Sequence, residues 1–189
     1  MRVMKRWLSS EICIKGGLIF ISLIFMFVGC ASSPKEFDPK ITGPQLIVEP
    51  DTIRLGVAKV MGTQIVFRGK GFVPEDSVFI SLVGVKKKDQ VVNVPVADGN
   101  VDKNGAFTAK VGTLAKVGEL LRAEIGSNKK MENVIMLSEP PIPEGVYTAR
   151  AVSMESDKKA ECKLVIKGPS VLDRLKDWMG GLLGKIKKK

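Results

Sequence analysis

The chain has 189 residues, a formal charge of +10, 44% hydrophobic and 26% charged residues, and no histidine. This length holds one domain with additions or at most two small ones, and the balance of residue types excludes wholesale disorder. Without histidine there is no imidazole to serve as general base, which excludes Ser-His-Asp and Cys-His catalysis and any zinc site with His ligands. The carboxylates are scattered and form no recognisable catalytic pair, so the expectation is a non-enzymatic protein with no catalytic residue, no metal and no cofactor. Aromatic residues make up only 6%, so a core must come mainly from Val, Ile, Leu and Phe, a set that favours strands.

The N-terminus carries Arg2, Lys5, Arg6 and Lys15, then an apolar run from Leu18 to Val28 broken by Ser22, then Gly29 and Cys30. A run of this length is the core of an export signal, whereas a span across a bilayer needs ~20 apolar residues. The ending Phe27-Val28-Gly29-Cys30 resembles the lipobox of bacterial lipoproteins, with Phe27 standing where Leu is usual. The resemblance implies that residues 1–29 are a signal peptide, that the chain is cut before Cys30, and that the Cys30 thiol and amine are acylated. Membrane lipid is then the first partner. Each buried CH₂ contributes ~0.8 kcal/mol, so two or more acyl chains hold a protein where one would not. The alternative is an uncleaved signal anchor with an incidental Cys30. Ala31, in place of Asp, is what the sorting rule of enteric lipoproteins associates with the outer membrane. The expected location is therefore lipid-anchored in the cell envelope, at the outer membrane in preference to the inner.

Cleavage removes Cys13, and acylation of Cys30 leaves Cys162 with no cysteine partner in the chain. In the alternating text around Cys162 it reads as a small apolar strand residue. Residues 30–44, rich in Ser, Pro and charge, read as the lipidated N-terminus and a flexible tether.

From Gln45 the text becomes short alternating runs separated by Gly, Pro, Asn and Asp. Strands are predicted at Gln45–Glu49, Thr63–Arg68, Ser77–Val83, Val91–Val96, Ala106–Val111, Asn133–Leu137, Val146–Val152 and Ala160–Lys167. Such spacing reads as an antiparallel sandwich or barrel over residues 45–168. Between them, Leu114, Val117, Leu120, Leu121 and Ile125 approach helical spacing. This predicts either a short helix over Leu114–Glu124 capped by Thr113, or two strands.

Three further elements carry a second resemblance. Gly69, Gly71, Phe72 and Pro74, then Asn104, Gly105 and Phe107, then Pro143, Gly145, Tyr147 and Thr148 are similar to the recurrent text of bacterial immunoglobulin-like domains of the IPT/TIG type. The resemblance implies an all-β, immunoglobulin-like antiparallel β-sandwich, here with a short inserted helix, serving adhesion, assembly or scaffolding. The residues themselves point to turn chemistry: Asn104-Gly105 to a tight hairpin, Gly69 and Gly71 to a bend or bulge, Pro143 and Gly145 to a strand start.

The run Asp98–Gly105 invites a calcium reading, but Val111 stands where the bidentate Glu should be, so turn chemistry is expected there. Lysines cluster at Lys86–Lys88, Lys129–Lys130 and Lys158–Lys159 without interleaved aromatics or arginines, which excludes nucleic acid as a partner.

Residues 169–189 read as a basic amphipathic C-terminal helix. Ser170 can cap it, with Asp173 in the first turn. Val171, Leu172, Leu175, Trp178, Met179, Leu182 and Ile186 share one face, and Asp173, Arg174, Lys176, Asp177, Lys185 and Lys187 occupy the other. From Ser170 onward there are six basic and two acidic residues, net +4, out of +7 for the chain without residues 1–29. Such a face suits a membrane surface or an envelope protein partner; the other reading is packing on the domain. The expected function is a membrane-anchored, non-enzymatic binding or structural module, or else an accessory subunit of an envelope assembly or transport complex that meets its partner through this helix.

Mass spectrometry of the membrane-extracted protein should find an acylated chain starting at Cys30, and the Cys30→Ala variant should yield none.

Overall fold

The computed structural model describes residues 35–88 and 90–188; Cys30 and the rest of the export segment lie outside the described residues. The fold is β-rich, with eleven strands among the described residues in three sheets, antiparallel except at two pairings, and few helical segments. The first sheet has the order β1 (Gln45–Glu49), β3 (Val66–Lys70), β6 (Ala106–Lys110). The second runs β2 (Thr52–Arg54), β10 (Lys159–Lys167), β9 (Gly145–Ser153), β4 (Ser77–Lys87), β5 (Gln90–Asn100). The third is small: β11 (Ile186–Lys188), β8 (Asn133–Leu137), β7 (Ala123–Ser127).

Alternation explains the first two sheets. Leu46 and Val48 of β1, Phe67 of β3 and Phe107 and Ala109 of β6 are buried, while their sequence neighbours are more open. Val78, Ile80 and Leu82 of β4, Ala149 and Ala151 of β9, and Leu164 and Ile166 of β10 do the same from the second sheet. All join one continuous core. Every second residue of a strand points to the same face, so each sheet contributes one apolar face to a common interior.

The edges of this core come from pieces the alternation did not show. After β1 the chain passes the cis Glu49–Pro50 bond and leaves its pairing with β3. It then joins β10 in parallel as β2, with Thr52 opposite Val165 and Arg54 opposite Lys167. A short helix, α1 (Val57–Gly62), follows and buries Val57 and Val60.

The segment between β6 and β9 forms an insertion. The helix predicted over Leu114–Glu124 is shorter: α2 (Thr113–Ala115) runs into a π-helical turn (Lys116–Leu120), and the chain reverses at Arg122, φ 50°, into β7. The N-cap is Gly112 and not Thr113, which is already the first helical residue. The wider π turn buries Val117 and Leu120 and carries the buried Lys116 ammonium to the Thr63 carbonyl, 2.6 Å away.

Two turn readings are corrected. Asn104-Gly105 does not close a hairpin, because β5 and β6 lie in different sheets. Only Gly105 of the pair has positive φ, 74°. The turn is held by Asp102, whose Oδ1 accepts from the amides of Asn104 and Ala106 at 2.7 and 3.0 Å. Gly69 makes no bend: it sits in register within β3, opposite Phe107. A Cβ at Gly69 would collide with the Phe107 ring, so the glycine is a space for that ring. Gly71, φ 80°, makes the turn that follows.

Residues 35–44 are also fixed to the fold, contrary to the tether reading. The Lys35 amide donates to Glu49 Oε1 at 2.8 Å, and Lys35 Nζ pairs with Asp51 at 2.7 Å. Gln45 exchanges side-chain bonds with the Asp38 amide and carbonyl at 2.9 and 2.8 Å. Polar groups on this segment find partners along β1, so the chain follows that strand.

Gly69→Val should lower stability by ~1–3 kcal/mol through overpacking against Phe107. In denaturant titrations, combining it with Phe107→Ala should cost less than the sum of the two single changes, because both act on one space.

Candidate functional site

The described residues of the C-terminal segment form α3 (Val171–Leu182), a turn, and β11. Ser170 caps α3: its Oγ accepts from the Asp173 amide at 3.2 Å, while Asp173 Oδ2 accepts from the Ser170 amide at 2.9 Å. This reciprocal arrangement satisfies donors that a helix start otherwise leaves open.

The helix stops well short of the predicted span of residues 169–189. Gly184 is left-handed at φ 70°, the Gly184 amide donates to Gly181 O at 3.0 Å, and the Lys185 amide donates to Gly180 O at 2.9 Å. This pair of bonds around a left-handed glycine is a Schellman stop. Ile186, Lys185 and Lys187 are therefore not on the helix. Ile186 and Lys187 pair in parallel with Ile135 and Met136 of β8, and Ile186 packs against the core.

The orientation of α3 is opposite to that of an ordinary surface helix, which turns its apolar stripe to the interior. Its inward face carries Asp173, Asp177 and Gly180, spaced one and two turns apart. Asp177 reaches the start of α1, where its two carboxylate oxygens accept from the amides of Val57 and Ala58, both at 2.9 Å. The N-cap of α1 is Gly56, with no side chain to cap with. A Cβ at Gly56 would lie 2.7 Å from Asp173 Cβ, so the glycine that cannot cap α1 is the one that lets α3 come close enough to do so. Asp173 itself is 5% exposed. Hydrogen bonding from Ser170 holds its carboxyl below the ordinary value, with the charges of Arg54 and Lys59 acting in the same direction.

The apolar residues consequently face out. Leu172 and Leu182 are each 69% exposed and Trp178 61% exposed, with Leu175 and Met179 exposed beside them. Val171, from the same predicted face, extends this strip, as does Leu183, which the sequence did not place there. Arg174, Lys176, Lys185 and Lys187 are exposed around it. The structure thus brings Leu172, Leu175, Trp178, Met179 and Leu182 together on one solvent-facing strip and withdraws Ile186 from it.

A cleft opens on each side of α3. One, of about 510 Å³, is lined by Leu137, Arg174, Trp178, Leu182 and Lys188 among others. The second, of about 360 Å³, lies between α1, the third sheet and α3. Both share Val57 and Ile186.

Other chemistry-bearing groups have structural partners. Asp76, 1% exposed, accepts from the hydroxyls of Ser153 and Ser156 and from the amides of Ser77 and Glu155. These bonds, that from Ser153 first, lower its pKa. The carboxylate ties the start of β4 to the turn after β9. Cys162 is half-buried against the core, and burial pushes its thiol up to about 11, far from a reactive thiolate. Among the described residues no three His, Cys, Asp or Glu side chains converge as a metal-holding group, and no helix is long and apolar enough to cross a membrane.

No protein-family model matches the sequence, and no curated protein matches it. Among solved structures, the chain is similar to macromomycin at 15% identity and a TM-score of 0.36, over 66% of this chain and 99% of that one. It is also similar to a β-glucosidase from Listeria innocua in complex with glucose, at 12% identity and a TM-score of 0.34, over 66% of this chain and 16% of that one.

Folding lowers the Asp173 pKa, so the unfolded chain takes up the proton more readily. Its contribution is therefore complete above the ordinary value of 3.8 and declines as the pH falls through the lowered one. Hydrogen exchange at the Ser170 amide, which donates to Asp173 Oδ2, should accelerate as the pH is taken below that value, relative to the intrinsic rate. Asp177→Ala should expose the Val57 and Ala58 amides at neutral pH.

Proposed function

We propose that the protein is a lipoprotein of the cell envelope, held by acylated Cys30, in which an immunoglobulin-like β-sandwich acts as a non-enzymatic binding or structural module. The apolar strip of α3 is its contact surface with the bilayer. The observation that carries this reading is the reversed docking of α3, whose polar face is locked to the domain while Leu172, Leu175, Trp178, Met179 and Leu182 face out.

The strand orders support the sandwich part. β1, β3 and β6 stand in the order of strands A, B and E of an immunoglobulin-like domain, and β10, β9, β4 and β5 in the order G, F, C and C′. The short β2, parallel to β10, fits a first strand that switches sheets. Tyr147, near the start of β9, donates its hydroxyl to the Pro143 carbonyl at 2.8 Å, the contact that a tyrosine corner makes in such domains.

Chain length and charge support the bilayer as the surface that α3 meets. Five residue steps separate Cys30 from Lys35, a reach of at most ~18 Å. Lys35 is bound to Asp51, and six further residues lead to Val57 under α3, at most ~20 Å more. These lengths allow α3 to reach the surface of a membrane that holds an acylated Cys30. An exposed apolar strip rimmed by cations is suited to lie in the interface of a membrane that carries anionic lipid.

Trp7 and Trp178 are the two tryptophans of the chain, so a chain beginning at Cys30 keeps Trp178 alone. In vesicles containing acyl-brominated phospholipid, the acylated protein should show Trp178 emission shifted to the blue and quenched. Leu175→Glu combined with Leu182→Glu should remove most of that quenching while leaving the fold intact. Trp178 emission that responds to aqueous acrylamide and not to bromine would refute the contact. Retention of an envelope protein under those same conditions would favour the accessory-subunit reading.

A further inference from the structure

We propose that the cleft between α1, the third sheet and α3 is a binding site for one acyl chain of an anionic phospholipid, with Lys176 and Lys185 holding the headgroup. The inference rests on the reading that α3 lies against a bilayer, and it concerns the recess beside the helix, not its outward strip.

One wall of the cleft is a row of isoleucines. Ile125 of β7 stands directly opposite Ile135 of β8, and Ile186 of β11 stands opposite Ile135 from the other side. Residues directly opposite across a sheet point to the same face, and all three line the cleft. Val57 and Met61 of α1 form the facing wall, with Val117 of the π turn between them. Gly180 lets α3 close against this row: a Cβ there would lie 2.7 Å from Ile186 Cδ1. Because Asp177 fixes the start of α1 to α3, the walls are set in place before any ligand arrives.

The chemistry of the lining selects the ligand. At about 360 Å³ the cleft falls within the range of small-molecule sites. Its neutral polar side chains are Thr113 and Asn133 alone. So few polar side chains give a polar ligand little to bond with inside the cleft, whereas an acyl chain needs no such partner. Water is poorly held where it finds so few polar partners. The charged lining residues are Lys176 and Lys185, both exposed. An ammonium pair at the mouth of an apolar recess complements a phosphodiester above a hydrocarbon chain.

The test uses the acylated chain reconstituted into vesicles of equal phosphatidylglycerol and phosphatidylethanolamine, then extracted in mild detergent for native mass spectrometry. One phospholipid adduct per chain is expected, enriched about tenfold in phosphatidylglycerol. Ile125→Glu, at a partly exposed position on the wall, should abolish the adduct. Lys176→Gln with Lys185→Gln, which spares the isoleucine wall, should keep an adduct but lose the enrichment. Absence of an adduct, an adduct indifferent to Ile125→Glu, enrichment that survives the double lysine change, or a bound peptide in place of lipid would each overturn the proposal. The chain mass in the same spectrum reports whether Cys30 is acylated, and bromine quenching of Trp178 reports the outward strip. Failure of the cleft is thus a separate result from failure of the anchor or of the bilayer contact.

Discussion

The two hydrogen bonds from the Val57 and Ala58 amides to the Asp177 carboxylate determine how the C-terminal part of this protein is presented. The first amides of a helix have no acceptor within the helix, and a buried amide without one is costly. Gly56 supplies no side chain, and a carboxylate at a helix start is favoured by the amide dipoles as well. Asp177 answers both needs from a position 120 residues later. Asp173, one turn earlier, is buried against Gly56 with its own charge satisfied by Ser170. Once this polar face is fixed inward, helical geometry leaves the leucines, Trp178 and Met179 no direction but outward.

That outcome runs against the hydrophobic effect, which at ~25 cal/mol per Å² would favour burying the strip. An apolar patch that the fold holds out of its own core is characteristic of a contact surface. The site arises from additions to the two main sheets and not from their shared core. The insertion between β6 and β9 contributes β7 and β8, the C-terminal segment contributes β11, and the parallel pairing of Ile186 with Ile135 joins them. One consequence is that the two main sheets can keep a closed core while the variable chemistry accumulates at one end.

Much of the polar chemistry elsewhere is used to hold pieces of chain together. Asp76 joins the β4 start to the turn after β9, Lys116 bonds the Thr63 carbonyl from the π turn, and Lys35 ties the first described residues to Asp51. Each group is buried or paired in a way that lowers its freedom to act on anything else. The outward strip and the isoleucine-walled cleft differ in kind: they are apolar surfaces with lysines at the margin, suited to recognition by burial and charge.

Local regularity made a good part of this legible. The eight predicted strands correspond to β1, β3, β4, β5, β6, β8, β9 and β10, because alternating burial leaves a period of two in the residues themselves. Ser170 with Asp173, and the amphipathic stripe of α3, were equally visible because a helix start and a period of 3.6 are local properties. The three-residue β2, the six-residue α1, the π turn and β11 are too short to carry a period, and each is held by a distant partner. Whether the stripe of α3 would face the interior or the solvent was decided by tertiary structure alone, for the contact that settles it joins Asp177 to amides at Val57 and Ala58. No local pattern encodes an acceptor for a helix that begins more than a hundred residues earlier.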